Sequence, residues 1–378
     1  MESIVTTPAG EPFPYKEYFQ EKKEAGRTFI GLFAHEMVPL ELIRASGATI
    51  VPLVFVGPEE YAATGGAFMS HSTCVFARNI VGAFVHEDIR FYKHIEYLVR
   101  SNYCNGDFCG TEYIARELRI PAIDLAIPIK ARPYSIDYFT AQLRVFAQQL
   151  ASALGKSISD VEIVHQATLH NAARAALRQL PATGIRGVEL LRRYQEAAVL
   201  EPAELIDRLN ALYFKNEQFI VKKNTRLDNI PAIMLCGDPI FINDYFAASL
   251  EELGASIVHF DTWIGARMGD IMVDEADPDV FRALARAYLT CHGLERLVPG
   301  AMEARIQRAT ALVKTLGIEG IINHTLKFCD LQAIGRDAFK EKLGKLVPVL
   351  DVERDYSESG LGGLKTRVEA FIELVKGE

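Results

Sequence analysis

Short apolar, β-branched runs alternate with segments of helical period along this chain, and the alternation occurs twice. Residues 28–56 read TFIGLF, then a helical PLELIRASG, then ATIVPLVFV, a strand–helix–strand unit with glycine closing the helix before the second strand. Residues 232–261 repeat the plan with AIMLCG, NDYFAASLEELG and SIVHFD. A second unit follows in each half. IEYLVRSNYC, a helix through EYIAREL and PAIDLAIP match GIINHTLKFC, a helix through DAFKEKL and VPVLDV. In both, a strand runs out on a cysteine, so Cys104 and Cys329 occupy equivalent places at the carboxyl edge, where open α/β sheets bind ligands. Between the halves, residues 134–226 carry helical periodicity and no strand signal. The pattern predicts an α/β protein of two doubly wound, Rossmann- or flavodoxin-like lobes: an N-terminal lobe over 1–133, a helical connector over 134–226 and a C-terminal lobe over 227–378, with a metal site expected in the cleft.

Length supports this reading, because 378 residues exceed one ordinary α/β core and suit two. A formal net charge of -8 and the absence of a long basic run argue against a nucleic-acid partner. No apolar run approaches membrane-spanning length, and MESIVTTPAGEPFPYKEYF lacks the basic flank and apolar stretch of a secretory signal, so a cytoplasmic protein is expected. In a reducing compartment the six cysteines point to metal, catalysis or burial rather than to disulfides.

Those cysteines divide evenly, with Cys74, Cys104 and Cys109 in the first half and Cys236, Cys291 and Cys329 in the second. Structural zinc sites show two close pairs in one small module, and here only Cys104 and Cys109 are close. Four residues separate that pair, against two in a thioredoxin-type motif. An iron–sulfur cluster requires only that thiolates converge in space, so cysteines at scattered strand ends suit it. Burial as small hydrophobes is the alternative for each of the six.

CNGDFCGTEYIARELRIPAIDLAIP, GIEGIINHTLKFCDLQAIGRDAF and VPVLDVERDYSESGLGGLKTRVEAFIE, with the earlier VPLELIRASGATIVPL and TCVFARNIVGAF, together resemble the 2-hydroxyacyl-CoA dehydratase and benzoyl-CoA reductase family over nearly the whole chain. The resemblance implies two α/β lobes and an oxygen-sensitive [4Fe-4S] cluster held by three cysteines, leaving one iron without a cysteine ligand. The matching positions are Cys74, Cys104 and Cys329; Asn105 stands where the family has aspartate after the second cysteine. Cys109, Cys236 and Cys291 exceed the usual set, and the related double-cubane branch would use six thiolates for an [8Fe-9S] cluster.

The implied activity is removal of water from a 2-hydroxyacyl-CoA. The β-hydrogen of such a thioester is not acidic, and one-electron reduction of the carbonyl to a ketyl lets the neighbouring hydroxyl leave, after which a base removes the β-proton. The chain has no GxxxxGK[ST] loop, so the electron is expected from a separate ATP-hydrolysing iron–sulfur activator, with a homologous subunit as partner in a heterodimer or homodimer. The alternatives are a benzoyl-CoA-reductase-like or double-cubane reductase of a small molecule, and a cofactor-free supporting subunit. Candidate proton handlers are His35 and Glu36 in FAHEMVPLEL, directly after the first strand, with a helix-start carboxylate as the other reading of Glu36. His324 fits either a cluster-facing residue or a satisfied core histidine. SGLGGLKTR, with Lys365 and Arg367, fits either a CoA-phosphate site or a glycine turn.

Overall fold

A computed structural model describes residues 13–33, 37–130, 132–216, 230–291, 300–357 and 361–377. Its strands are β1 (Phe29–Leu32), β2 (Thr49–Pro52), β3 (Ile95–Ser101), β4 (Ala122–Leu125), β5 (Ala232–Gly237), β6 (Ser256–Asp261), β7 (Gly320–Leu326) and β8 (Val349–Arg354). They form two four-stranded sheets of identical plan, β2-β1-β3-β4 and β6-β5-β7-β8. Every pairing is parallel. Two Rossmann-like lobes are therefore present, as the doubled strand–helix–strand pattern predicts.

Parallel strands with helices on both faces lose the alternation of a half-exposed sheet and become apolar throughout. β1 and β2 are buried at every position. On β1, a Cβ at Gly31 would meet the Ile95 side chain at 2.9 Å, so glycine lets β3 approach closely. The two helix-ending glycines also adopt the expected backbone, Gly47 at φ +83° before β2 and Gly254 at φ +90° before β6.

The described residues divide into two units. The first comprises Phe13–Arg174 and Ile271–Cys291; the second comprises Ala175–Asp270 and the described part of His292–Glu378. Helices Pro133–Leu154, Asp160–Leu177, Gly187–Val199 and Pro202–Asn216 occupy the region where helical period was expected. They are divided between the units, the chain passing from one to the other within Asp160–Leu177.

Helix Val280–Thr290 belongs to the first unit although it is distant in sequence. There the Tyr288 hydroxyl donates to Glu41 Oε2 at 2.7 Å, and Arg174 Nη1 reaches Glu41 Oε1 at 2.7 Å. Glu41 is fully buried. Burial pushes its carboxyl up, but Arg174, His170 and the Tyr288 hydroxyl outweigh that and hold it below the ordinary carboxylate value. The ion pair fixes helix Leu40–Ala45, which follows β1.

β7 carries an unusual load for a central strand. All seven residues of GIINHTL are buried, including Asn323, His324 and Thr325. Buried polar groups need partners. Asn323 accepts from Arg305 Nη2 at 2.9 Å and donates to Asp351 Oδ1 at 2.8 Å.

Candidate functional site

In the first unit two thiols meet. Cys74 caps helix Val75–His86, and Cys104, just beyond β3, caps helix Asn105–Glu117. A Cβ built on Gly106 would lie 3.4 Å from Cys74 Cβ, 3.5 Å from Ala77 Cβ and 3.7 Å from Cys104 Sγ, so both cysteines pack around the same glycine. Asp107 is buried beside them. Burial pushes the Cys104 thiol far above the ordinary range, and the Asp107 carboxylate and the Cys74 sulfur add to the shift. The backbone N–H groups of Asp107 and Gly106 oppose it. A thiolate here is therefore disfavoured unless positive charge is added, the condition that metal binding meets.

Cys329 in the second unit follows β7 and caps the one-turn helix Asp330–Ala333. Its Sγ donates to Asp238 Oδ1 at 3.2 Å, while Leu326 N–H donates to Asp238 Oδ2 at 2.6 Å. Asp238, the residue after β5, thus fastens the turn that presents the cysteine. The Asp238 N–H in turn donates to the His324 carbonyl at 2.9 Å. A Cβ at Gly237 would stand 2.0 Å from that carbonyl, and Gly237 has φ +99°, so only glycine permits the crossing. Phe328, next to Cys329, holds the left-handed conformation at φ +65°, which is uncommon for a bulky residue and typical of over-determined functional turns.

His324 is fully buried with both ring nitrogens engaged. Nδ1–H donates to the Asp238 carbonyl at 2.8 Å, and Nε2 accepts from Arg354 Nε at 2.9 Å. Burial, then the Arg354 charge, push its pKa well down. It is the satisfied core histidine of the two sequence readings, and Arg354 continues the brace through its ion pair with buried Asp244.

The remaining sulfurs have different surroundings. Cys236 is 1% exposed on β5 and packs with Met234, Ala309, Val313 and Phe339 in the second unit's core. Cys109 is exposed on helix Asn105–Glu117, and Cys291 is partly exposed at the end of Val280–Thr290. Within either unit, among the described residues, no three His, Cys, Asp or Glu side chains form a metal-holding group. His35 and Glu36 lie outside the described residues. No described helix is long and apolar enough to cross a membrane.

At the carboxyl ends of β7 and β8 a cavity of about 270 Å³ is bordered by Lys327, Arg354, Asp355, Ser357, Gly363 and Arg367. Its cations are engaged by the protein. Lys327 pairs with Asp355 at 2.7 Å, and Arg367 Nη2 donates to the Asp351 carbonyl at 2.6 Å. Lys365 is exposed on helix Leu361–Lys376.

Sequence reasoning singled out Cys74, Cys104 and Cys329 but missed Asp107, Asp238, Asp244 and Arg354. Two signals were available. Asp107 and Gln332 both stand three residues after a strand-end cysteine, and GDP follows directly on the apolar run of β5.

Residues 36–375 match the family model described as 2-hydroxyglutaryl-CoA dehydratase, D-component. A relative from Escherichia coli (strain K12), "Putative dehydratase subunit YjiM", is 25% identical over 363 residues, covering 93% of each chain. Among solved structures, a GTP-binding protein from the hyperthermophilic archaeon Sulfolobus solfataricus in complex with GDP aligns with 92% of this chain and 99% of its own at 12% identity and a TM-score of 0.22, too slight a likeness to carry an inference.

Proposed function

Because the chain belongs to the family of the 2-hydroxyglutaryl-CoA dehydratase D-component, we propose that it is the iron–sulfur subunit of a 2-hydroxyacyl-CoA dehydratase-like lyase. The observation that carries this reading is the meeting of Cys74 and Cys104 at two helix starts, around Gly106 and beside a buried carboxylate. Such a donor pair suits a thiophilic metal centre. In this reading Cys74, Cys104 and Cys329 supply the three thiolates of a [4Fe-4S] cluster. When bound, that cluster supplies low-potential electron transfer and a coordination position open to substrate.

The chain's own residues do the rest. Asp238 holds the Cys329 turn through the Leu326 N–H, and His324, braced by Arg354, keeps Asp238 in register with β7. His35 or Glu36, which follow β1 in the sequence, removes the β-proton. The substrate is an acyl-CoA. A homologous subunit completes the enzyme, and a separate ATP-hydrolysing iron–sulfur protein delivers the electron, since this sequence has no phosphate loop. The core packing of Cys236 favours a single cubane over an [8Fe-9S] double cubane that would use Cys109, Cys236 and Cys291 as well.

The test is iron and acid-labile sulfide per chain after anaerobic purification. About four irons are expected, falling in each of Cys74→Ser, Cys104→Ser and Cys329→Ser. About eight would establish the double-cubane reductase instead, and no iron would leave a supporting subunit.

A further inference from the structure

Backbone hydrogen bonds tie down the turn that carries Cys329 at several points. Leu326 N–H goes to Asp238, Lys327 N–H to the Arg354 carbonyl at 2.8 Å, Cys329 N–H to the Leu326 carbonyl at 3.0 Å, and Gln332 N–H to the Cys329 carbonyl at 3.2 Å. Against that background the side chain of Gln332 is anomalous. It is 1% exposed, and neither its amide nitrogen nor its amide oxygen has a hydrogen-bond partner. Thr325, four residues before the cysteine, is equally buried with an unpartnered hydroxyl. A native chain does not keep a fully buried amide without a partner at no cost, so a group absent from the polypeptide is implied.

The placement of Gln332 says what kind of group. Cys329 is the helix cap and Gln332 the third helical residue, the spacing at which a glutamine ordinarily folds back to the cap's own N–H. Here the Leu326 carbonyl already takes that N–H, which releases the amide for another use. Gln332 stands one turn beyond Cys329, the spacing that lets the two side chains reach a common group. On the reading that Cys329 holds an iron–sulfur cluster, we propose that the Gln332 amide donates a hydrogen bond to a sulfur of that cluster and so raises its reduction potential.

Hydrogen bonds to cluster sulfurs stabilise the reduced, more negative state. Gln332→Met keeps the length of the side chain and removes the polar end; Gln332→Glu keeps the shape and replaces the donor with an acceptor. Both should retain the wild-type iron content, because Gln332 is not a ligand. Both should also show a more negative potential in a redox titration followed by electron paramagnetic resonance. The expected size is about tenfold in the reduction equilibrium, or about 59 mV for one electron. Iron-free Gln332→Met should melt higher than the iron-free wild type, since it loses a buried amide that has nothing to bond. Full iron with an unchanged potential in both variants would overturn the role of Gln332 alone. A lower melting temperature for iron-free Gln332→Met would show that the amide is bonded within the chain and would overturn it too. A wild-type protein that binds no iron would remove the cluster reading, and this proposal with it.

Discussion

Cys104 and Cys329 stand at the same place in two sheets of the same strand order, yet their settings are opposite. Around Cys104 the neighbours are another sulfur and a carboxylate, and the thiol is driven away from ionisation. Cys329 instead gives its proton to Asp238 in a hydrogen bond, within a chain of contacts that runs through His324 and Arg354 to Asp244. The first setting disfavours a thiolate through burial, the carboxylate and the second sulfur together. In the second, the sulfur finds its acceptor within the protein. Two copies of one strand order can thus set the same position in opposite electrostatic surroundings.

Removing the brace around Cys329 should have the largest effect. Arg354→Leu leaves Asp244 charged and buried and His324 without its donor, so iron-free protein should lose about 3–5 kcal/mol in denaturant unfolding. A loss no larger than that of an exposed ion pair would erase the contrast between the two settings.

The first unit has its own buried histidine, and it responds to pH. Burial, with Arg174 and Arg44 adding to it, pulls His170 down from its ordinary 6.5 to about 4 against the opposing charge of Glu41. The unfolded chain therefore takes up a proton at higher pH than the folded one. The stabilising contribution is complete above about 6.5 and is lost as pH falls toward about 4, amounting to about 3 kcal/mol by the end. Unfolding free energies measured from pH 7 to 4 should show this slope in the wild type and a flatter one in His170→Gln. Parallel curves would assign the slope elsewhere.

The smallest effect sharpens the comparison most. Asp238→Asn keeps an oxygen for the Leu326 N–H but loses the charge that both Leu326 and Cys329 use, which should cost about 2 kcal/mol. Its iron content should fall less than that of Cys329→Ser. Equal losses would make Asp238 as necessary as the cysteine itself.

The fold was legible in the sequence because its signals are local. Apolar runs flanked by a helix and a left-handed glycine, at Gly47 and Gly254, mark each β-α-β step wherever it falls. The cysteines at strand ends were legible for the same reason. The brace around Cys329 was not, because Arg354 and Asp244 are 110 positions apart and Cys329 and Asp238 are 91 apart, and no local period links such partners. Nor does any local feature say that 271–291 folds with the first unit, since helix Val280–Thr290 reads as an ordinary amphipathic helix. His324 was undecidable from sequence, because a histidine inside an apolar strand looks the same whether it serves chemistry or is held by neighbours.

The membership of helix Val280–Thr290 in the first unit bears on how the polypeptide is made. Domains tend to fold from the amino end as synthesis proceeds. This one cannot finish in that order. When Arg174 leaves the ribosome, Glu41 has its guanidinium but not the Tyr288 hydroxyl, which arrives only after the whole first stretch of the other unit, Ala175–Asp270, has been translated. The amino-terminal lobe must wait, incompletely satisfied, while its neighbour begins to emerge. A fragment ending near residue 174 should accordingly be far less stable than the same lobe within the full chain, and the gene offers no single point at which the two lobes can be cut apart with both intact.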